Sequence, residues 1–499
     1  MRAPEGYLDT LPWRASYAQL PAHFYARVSP SPVRAPSLVR INYELAQRLG
    51  LDPEALARPE SVEVWAGNRT PAGSDPIAMA YAGHQFGHWV PQLGDGRALL
   101  LGELPNRAGT LCDLQLKGSG PTPFSRSGDG RAPIGPVVRE YLGGEALAGL
   151  GIPTTRALAA VTTGEQVQRW GLEPGGVLAR VARGHVRVGT FEYFAHRGDT
   201  EAVRQLADYV LWRHYPTAAV SERPYHALLE AVTGATADLI GGWLSAGFIH
   251  GVMNTDNLSL AGETIDFGPF GFLDAFQPQT VYSSIDAYGR YAYDQQPGIA
   301  AWNLARLAEA LLPLMHRYPQ TAAAEAEDIL RGVVPRCHSV FRGRLQQRLG
   351  WLEAREGDDG LVTDLLQRMA EGEADWTLTF RRLSEVDGRD ASGDGPVRAL
   401  FREPQAFDAW ASAWRQRLAA EGRDDAERQA AMRAVNPAYI LRNHLAEWAA
   451  EAATRSLDFQ PMERLLKVLA APYADHPEEV ELGYPPQPGQ RVTRTYCGT

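Results

Sequence analysis

Residues 249–268 read Ile249-His250-Gly251-Val252-Met253-Asn254-Thr255-Asp256-Asn257-Leu258-Ser259-Leu260-Ala261-Gly262-Glu263-Thr264-Ile265-Asp266-Phe267-Gly268. The pattern is a loop with His and Asn, a short run, a tight Ala261-Gly262-Glu263 link, then Asp-Phe-Gly. It predicts a small hairpin that brings the Asn257 amide oxygen and the Asp266 carboxylate together. Hard oxygen ligands of this kind fix the metal that neutralises a triphosphate, which carries about four negative charges. His-Gly or Asp-Phe-Gly alone would be an ordinary turn. Both in order and closely spaced point to a nucleotide site.

The same order occurs in protein kinases, where the Asn and the Asp-Phe-Gly aspartate hold Mg2+ against the phosphates. Working outward, Leu114-Gln115-Leu116-Lys117 ends a strand and offers a lysine to grip phosphate. Glu140 follows 23 residues later on a predicted helix, suitably placed to pair with Lys117. The glycine turn Leu93-Gly94-Asp95-Gly96-Arg97 precedes a strand and can present backbone N–H groups to phosphate. One position breaks the kinase pattern. Aligned on His250 and Asn257, Val252 stands where the proton-accepting aspartate belongs, and valine accepts no proton. The loop's only carboxylate is Asp256. The residues therefore leave open an inactive nucleotide binder or an enzyme that uses its nucleotide differently. The run Arg180-Val181-Ala182-Arg183-Gly184-His185-Val186-Arg187 adds arginines suited to clamping phosphate.

The whole chain sets the frame. At 499 residues it suggests about three domains or one large fold with extensions. With 49 Lys+Arg against 59 Asp+Glu the net charge is −10, which excludes a general polyanion binder though not a local basic pocket. The uncharged stretch 239–255 holds four glycines, a His and an Asn and is no membrane span, so nucleic acid and membrane are left off the partner list. Cys112, Cys337 and Cys497 form neither a disulfide framework nor a zinc spacing. Glu5 and Asp9 lie where a secretory signal would be apolar, so a cytoplasmic enzyme is expected. Residues 1–75 read as Pro-rich and irregular, with one helical stretch near 38–49. Residues 98–102 and 111–117 read as strands, 134–150 as a helix, and 177–194 as strand. Helices dominate from about 200, including 227–248, and 297–469 is helical with a polar break at 385–395. The tail from 471 reads as irregular. The class is α+β: β-rich, then helix-rich, with the chemistry at the junction.

The chain resembles the selenoprotein O family, a group of kinase-like proteins. The resemblance rests on YAGHQFGHWVPQLGDGR (81–97), DLQLKGSGPTPFSRSGDGR (113–131), REYLGGEALAGLGIPTTRA (139–157), GFIHGVMNTDNLSLAGETIDFGPFGFLD (247–274), GRYAYDQQPGIAAWNLARL (289–307) and MRAVNPAYILRNHL (432–445). It implies a protein-kinase-like bilobal fold. Residues 1–75 would be an N-terminal extension, 76–200 the N-lobe, 201–330 the C-lobe, and 331–499 a helical extension and tail. It implies transfer of AMP from ATP to Ser, Thr or Tyr hydroxyls of proteins, with release of pyrophosphate and with ATP flipped relative to kinases. Gly94, Gly96, Arg97, Lys117, Asp129, Gly130, Arg180, Arg187 and Asp266 would contact ATP. Asn257 and Asp266 would hold Mg2+ or Mn2+, Asp256 would accept the proton, and Glu140 would orient Lys117. The alternatives are UMP transfer with Mn2+, a divergent kinase, and a nucleotide-binding pseudokinase scaffold. Cys497 stands third from the end, as a Cys or selenocysteine often does in the family. Tyr282, however, stands where many bacterial relatives carry a partner Cys, so no disulfide between the tail and this loop is expected. Pro136 suits only the first turn of the Glu140 helix.

Overall fold

Alternating polar and apolar residues, as in Asp113-Leu114-Gln115-Leu116-Lys117, give a strand two chemically different faces. That strand lies near the middle of the sheet that organises the first half of the chain. A computed structural model describes residues 4–496. An eight-stranded sheet runs in the order β1 (Tyr25–Arg27), β3 (Ile77–Met79), β6 (Ala98–Pro105), β7 (Leu111–Lys117), β10 (Leu172–Ala182), β9 (Arg156–Gln168) and β2 (Ser37–Ile41), with β8 (Ala132–Pro133) paired to β10. The neighbours pair antiparallel, and β7 sets Gln115 across from Arg180 and Lys117 across from Leu178 of β10. A separate ribbon joins β4 (Gly83–Gln85) to β5 (His88–Val90).

The two faces of β7 bury different things. Leu114 and Leu116 pack with Leu45 and Leu49 of α1 (Tyr43–Leu49), Leu56 of α2 (Pro53–Leu56) and Trp65 of α3 (Pro59–Trp65). The opposite face of the sheet packs, through Leu100 and Leu178, against Val137, Val138, Tyr141 and Leu142 of α4 (Ile134–Gly149). Pro136 sits in the first turn of α4, where a missing N–H costs no intrahelical bond. The helical part begins with α5 (Val188–Ala195), α6 (Thr200–His214), α7 (Pro216–Ala219), α8 (Pro224–Ala246) and α9 (Gln296–Met315). Further helices to Leu469 form their own apolar cluster around Trp376, Trp410 and Trp414. The expected mixed α and β class with a helical C-terminal part is what is found. No helix among the described residues is long and apolar enough to cross a membrane.

Five local expectations need correction. Residues 38–49 are not one helix: β-branched Val39 and Ile41 belong to β2, which pairs with β9, and Asn42 then caps α1 by accepting the Leu45 N–H at 3.1 Å. The first 75 residues are not irregular, since they supply β1, β2 and the three helices over the sheet. Strand character stops at Ala182, and Val188–Ala195 is helical because Thr190 Oγ1 accepts the Arg187 N–H and starts a new helix. The 258–266 segment is not a self-paired hairpin. Leu260 N–H bonds to Val186 O and Thr155 N–H to Thr264 O, so each arm pairs outward, with different parts of the chain. The tail after 471 contains two short 3-10 turns, Pro477–Gly483 and Pro488–Gln490.

Candidate active site

Lys117 ends β7 and points toward α4, where its Nζ lies 2.7 Å from Glu140 Oε2 and 2.9 Å from Asp266 Oδ1. Arg180, across from Gln115 in the sheet, reaches the same carboxylates: Nη1 is 3.0 Å from Glu140 Oε1 and 2.6 Å from Asp266 Oδ1. Its Nη2 donates to Gln115 Oε1. Arg187, extended just ahead of α5, donates to the other oxygen of Asp266 and, at 2.7 Å, to the Asp256 carbonyl. Burial pushes the Asp266 carboxyl up, but Arg187, Lys117 and Arg180 outweigh it and hold the group well below the usual carboxylate range. Asp266 has φ +61°, a left-handed conformation that costs a non-glycine residue about 1–3 kcal/mol. The ion pairs around its side chain hold it there.

The glycine turn sits at the end of the same cavity. Gly94 has φ +98°, and a Cβ there would fall 2.4 Å from the Phe124 ring. Only glycine therefore lets the 93–97 turn close against the 122–130 loop. Thr122 Oγ1 donates to Asp95 O at 2.7 Å and Ser125 Oγ to Gly96 O, so the two Gly-Asp-Gly-Arg turns are tied together. Asp129 is paired with Arg169 at 2.9 and 3.0 Å and accepts the Arg131 N–H at 2.9 Å. Arg169 holds its carboxyl below the ordinary value.

Asp256 lies in a short 3-10 turn, Thr255–Asn257, and is 7% exposed. Gln85 Nε2 donates to its Oδ2 at 3.1 Å, while Oδ1 is buried and has no partner. Burial lifts this carboxyl to about 6, against the Gln85 hydrogen bond and the Arg187 charge. Asn257 Nδ2 is spent on Val252 O at 3.0 Å. Its amide oxygen and the Asp266 carboxylate are hard oxygen donors of the kind that hold Mg2+, and both residues line one cavity.

One cavity of about 660 Å³ collects these groups. Gly94, Gly96, Arg97, Lys117, Asp129, Gly130, Arg180, Arg187, Asp256, Asn257 and Asp266 all line it, together with Val252. Glu140 does not; it stands behind Lys117 and lines a neighbouring cavity of about 510 Å³ that holds none of the Asp256, Asn257 or Asp266 oxygens. The larger cavity is therefore the one with the chemistry. Tyr282 is buried, donates its OH to Phe272 O at 2.7 Å and accepts the Thr495 N–H at 2.7 Å. Cys112 and Cys337 are free thiols, and Cys497 lies outside the described residues.

Four residues were not singled out from sequence. Gln115 holds Arg180; Tyr81 lies under Arg187, with the guanidinium 4.7 Å from the ring centre; Asp95 is buried 3.8 Å from Arg187; and Gln85 holds Asp256. The signal for Gln115 was present, because strand alternation puts it on the Lys117 face. Tyr81 and Asp95 lie in irregular chain, where no period says which way a side chain points, and Gln85 ends a three-residue strand, too short to show a period.

The family model described as protein adenylyltransferase SelO matches residues 8–470. Among curated relatives, the protein nucleotidyltransferase YdiU of Alkalilimnicola ehrlichii is 59% identical, covering 98% of this chain and 99% of its own. The YdiU proteins of a Bradyrhizobium species (strain ORS 278) and of Methylorubrum extorquens (strain PA1) are each 57% identical with the same coverage. A match over nearly the full length means that the chain belongs to the SelO family and is a protein adenylyltransferase.

Proposed function

We propose that this enzyme joins AMP from ATP to Ser, Thr or Tyr hydroxyls of proteins through the 660 Å³ cavity, with ATP flipped relative to kinases. Adenylyl transfer implies a nucleotide substrate and a divalent metal. The metal in this reading is Mg2+, held by Asn257 and Asp266, and it supplies charge neutralisation to the phosphates. Lys117, Arg180 and Arg187, now spent on Asp266, turn to the β- and γ-phosphates, and Glu140 keeps Lys117 in place. The 94–97 and 128–131 turns take the rest of the nucleotide through Gly94, Gly96, Arg97, Asp129 and Gly130. The substrate hydroxyl oxygen attacks the α-phosphorus, its proton passes to Asp256, and the bond to the β-phosphate oxygen breaks to release pyrophosphate. The charge growing on pyrophosphate meets the two arginines and Lys117.

The observation that carries this reading is the buried, unpartnered Oδ1 of Asp256 in a cavity where Val252 occupies the place of a kinase base. The same reading makes 76–200 and 201–330 the lobes of a kinase-like fold, with strands from 1–75 completing the sheet and 331–499 as a helical extension. It places the enzyme in the cytoplasm, with proteins rather than nucleic acid or membrane as partners, in keeping with the net charge of −10 and the free thiols. Asp256→Ala should cut AMP transfer by about 10²–10⁴-fold while leaving ATP affinity nearly unchanged. α-Labelled ATP incorporation and calorimetric ATP titration measure the two quantities. Transfer within a few-fold of the parent would remove Asp256 from the role.

A further inference from the structure

The ribbon β4–β5 is too short to bury a core, yet it grips the turn that carries Asp256. Three consecutive residues of the ribbon bond to three consecutive residues of the turn. His84 N–H donates to Thr255 Oγ1 at 2.7 Å, Gln85 Nε2 to Asp256 Oδ2 at 3.1 Å, and Phe86 N–H to Asn254 Oδ1 at 3.0 Å. Tyr291 closes the far side, donating its OH to Asn254 Oδ1 at 2.6 Å. The approach is close: a Cβ on Gly83 would fall 2.6 Å from Asp256 Oδ1. The ribbon is itself anchored, since His84 Nδ1 pairs with Glu192 of α5, and its ring packs 5.0 Å from Trp89 and 5.2 Å from Trp302.

We propose that the 83–90 ribbon is a template for the proton acceptor and that Gln85 is its positioning residue, fixing the Asp256 carboxylate so that one oxygen is held by a hydrogen bond and the other is left without one. This rests on the reading of Asp256 as the proton acceptor. The chemistry gives Gln85 a definite task. A buried carboxylate with two unheld oxygens rotates about its Cβ–Cγ bond, and a proton acceptor misplaced by about 1 Å loses on the order of a hundredfold in rate. A single neutral amide donor stops that rotation. It adds no charge that would compete with the cations on Asp266. It also occupies only Oδ2, so Oδ1, buried against Gly83, is left with unused acceptor capacity. A side chain that merely filled space would need no N–H here.

The test compares Gln85→Met, which keeps the length and removes the donor, with Gln85→Glu, which replaces the donor by an acceptor carrying like charge. Both are assayed for kcat and KM of α-label transfer from ATP to protein, with ATP affinity measured separately by calorimetry. Gln85→Met is expected to lower kcat by about tenfold to a hundredfold with ATP affinity and the KM for ATP within about twofold of the parent, and Gln85→Glu to lower kcat at least as far. Gln85→Met at parental kcat, or a loss matched by an equal loss of ATP affinity, would overturn the proposal, the second result marking a structural role only. Asp256→Ala, assayed alongside, separates the two claims. If it stays active the proton acceptor is wrong; if it is inactive while Gln85→Met is unimpaired, only the template is wrong.

Discussion

Glu263 shows how far a single buried carboxylate departs from its reading in sequence, where it is one residue of a tight link. It is 9% exposed, and burial lifts its carboxyl to about 7, offset in part by the Arg183 N–H at 2.8 Å and the Arg183 charge, with Asp113 adding to the rise and Arg156 opposing it. The unfolded chain releases this proton near 4.5, so the folded state holds it over a range where the unfolded state does not. Stability from this group therefore falls as pH rises from about 4.5 to about 7, and the cost is fully present above that, on the order of 3 kcal/mol. Glu263→Gln keeps an acceptor for Arg183 and removes the charge. It should be more stable than the parent at pH 8 and no more stable at pH 4.5, as read by denaturant unfolding at both values; an equal difference at both would contradict the burial argument. Single residues were the most legible level at the site. Lys117, Glu140, Asp256, Asn257 and Asp266 could be named because phosphate chemistry demands particular charges in a particular order. Tyr81, Asp95 and Gln85 could not, because their roles depend on which chains meet across space.

Among elements, α6 shows what holds the helical part to the sheet. Arg213 in its last turn has a side chain only 3% exposed, 2.7 Å from Asp113 Oδ1 of β7 and 3.3 Å from Glu103 Oε1 of β6, and it donates to the Leu111 and Arg183 carbonyls at 3.2 and 3.0 Å. Removing it takes the arginine counter-ion from two buried carboxylates and leaves Asp113 to His185 and Glu103 to the Ser16 N–H and hydroxyl. Arg213→Leu should cost about 3–5 kcal/mol, measured as a shift in the urea midpoint, with Arg213→Lys intermediate; a loss below about 1 kcal/mol would show that the pairs are not what joins the parts. The long periodic elements were legible in sequence: α4 and α8 follow their apolar stripes, and β6 and β7 their alternation. The outward pairing of 258–266 was not, since a short segment carries the same β signal whichever neighbour it joins. The edge strands of the first 75 residues were hidden for the same reason, being three and five residues long.

Across the whole molecule, the last described residues return to the site. Thr495 is 1% exposed; its N–H donates to Tyr282 O, its carbonyl accepts the Ser284 N–H at 3.1 Å, and its hydroxyl donates to Pro269 O at 2.7 Å, one residue past Asp-Phe-Gly. Tyr282 thus receives the tail through its carbonyl while its ring is buried, a noncovalent contact at the position where a thiol would otherwise stand. Deleting residues 485–499 should speed amide exchange at Ser284, which loses its acceptor, and leave the sheet amides of β7 and β10 at parental rates; exchange at Ser284 unchanged would mean that the tail does not hold this loop. The β-rich and helical parts were legible as classes, and their meeting at the Asp266 cations was not. In the proposed reading that meeting, with Val252 and Asp256 lining the same cavity, is what would turn the phosphates of ATP around. The most direct test is to incubate the full chain with Mg2+, a protein acceptor and ATP labelled on either the α- or the γ-phosphate. The expected result is α-label covalently on protein and γ-label released in pyrophosphate; γ-label on protein without α-label would contradict it.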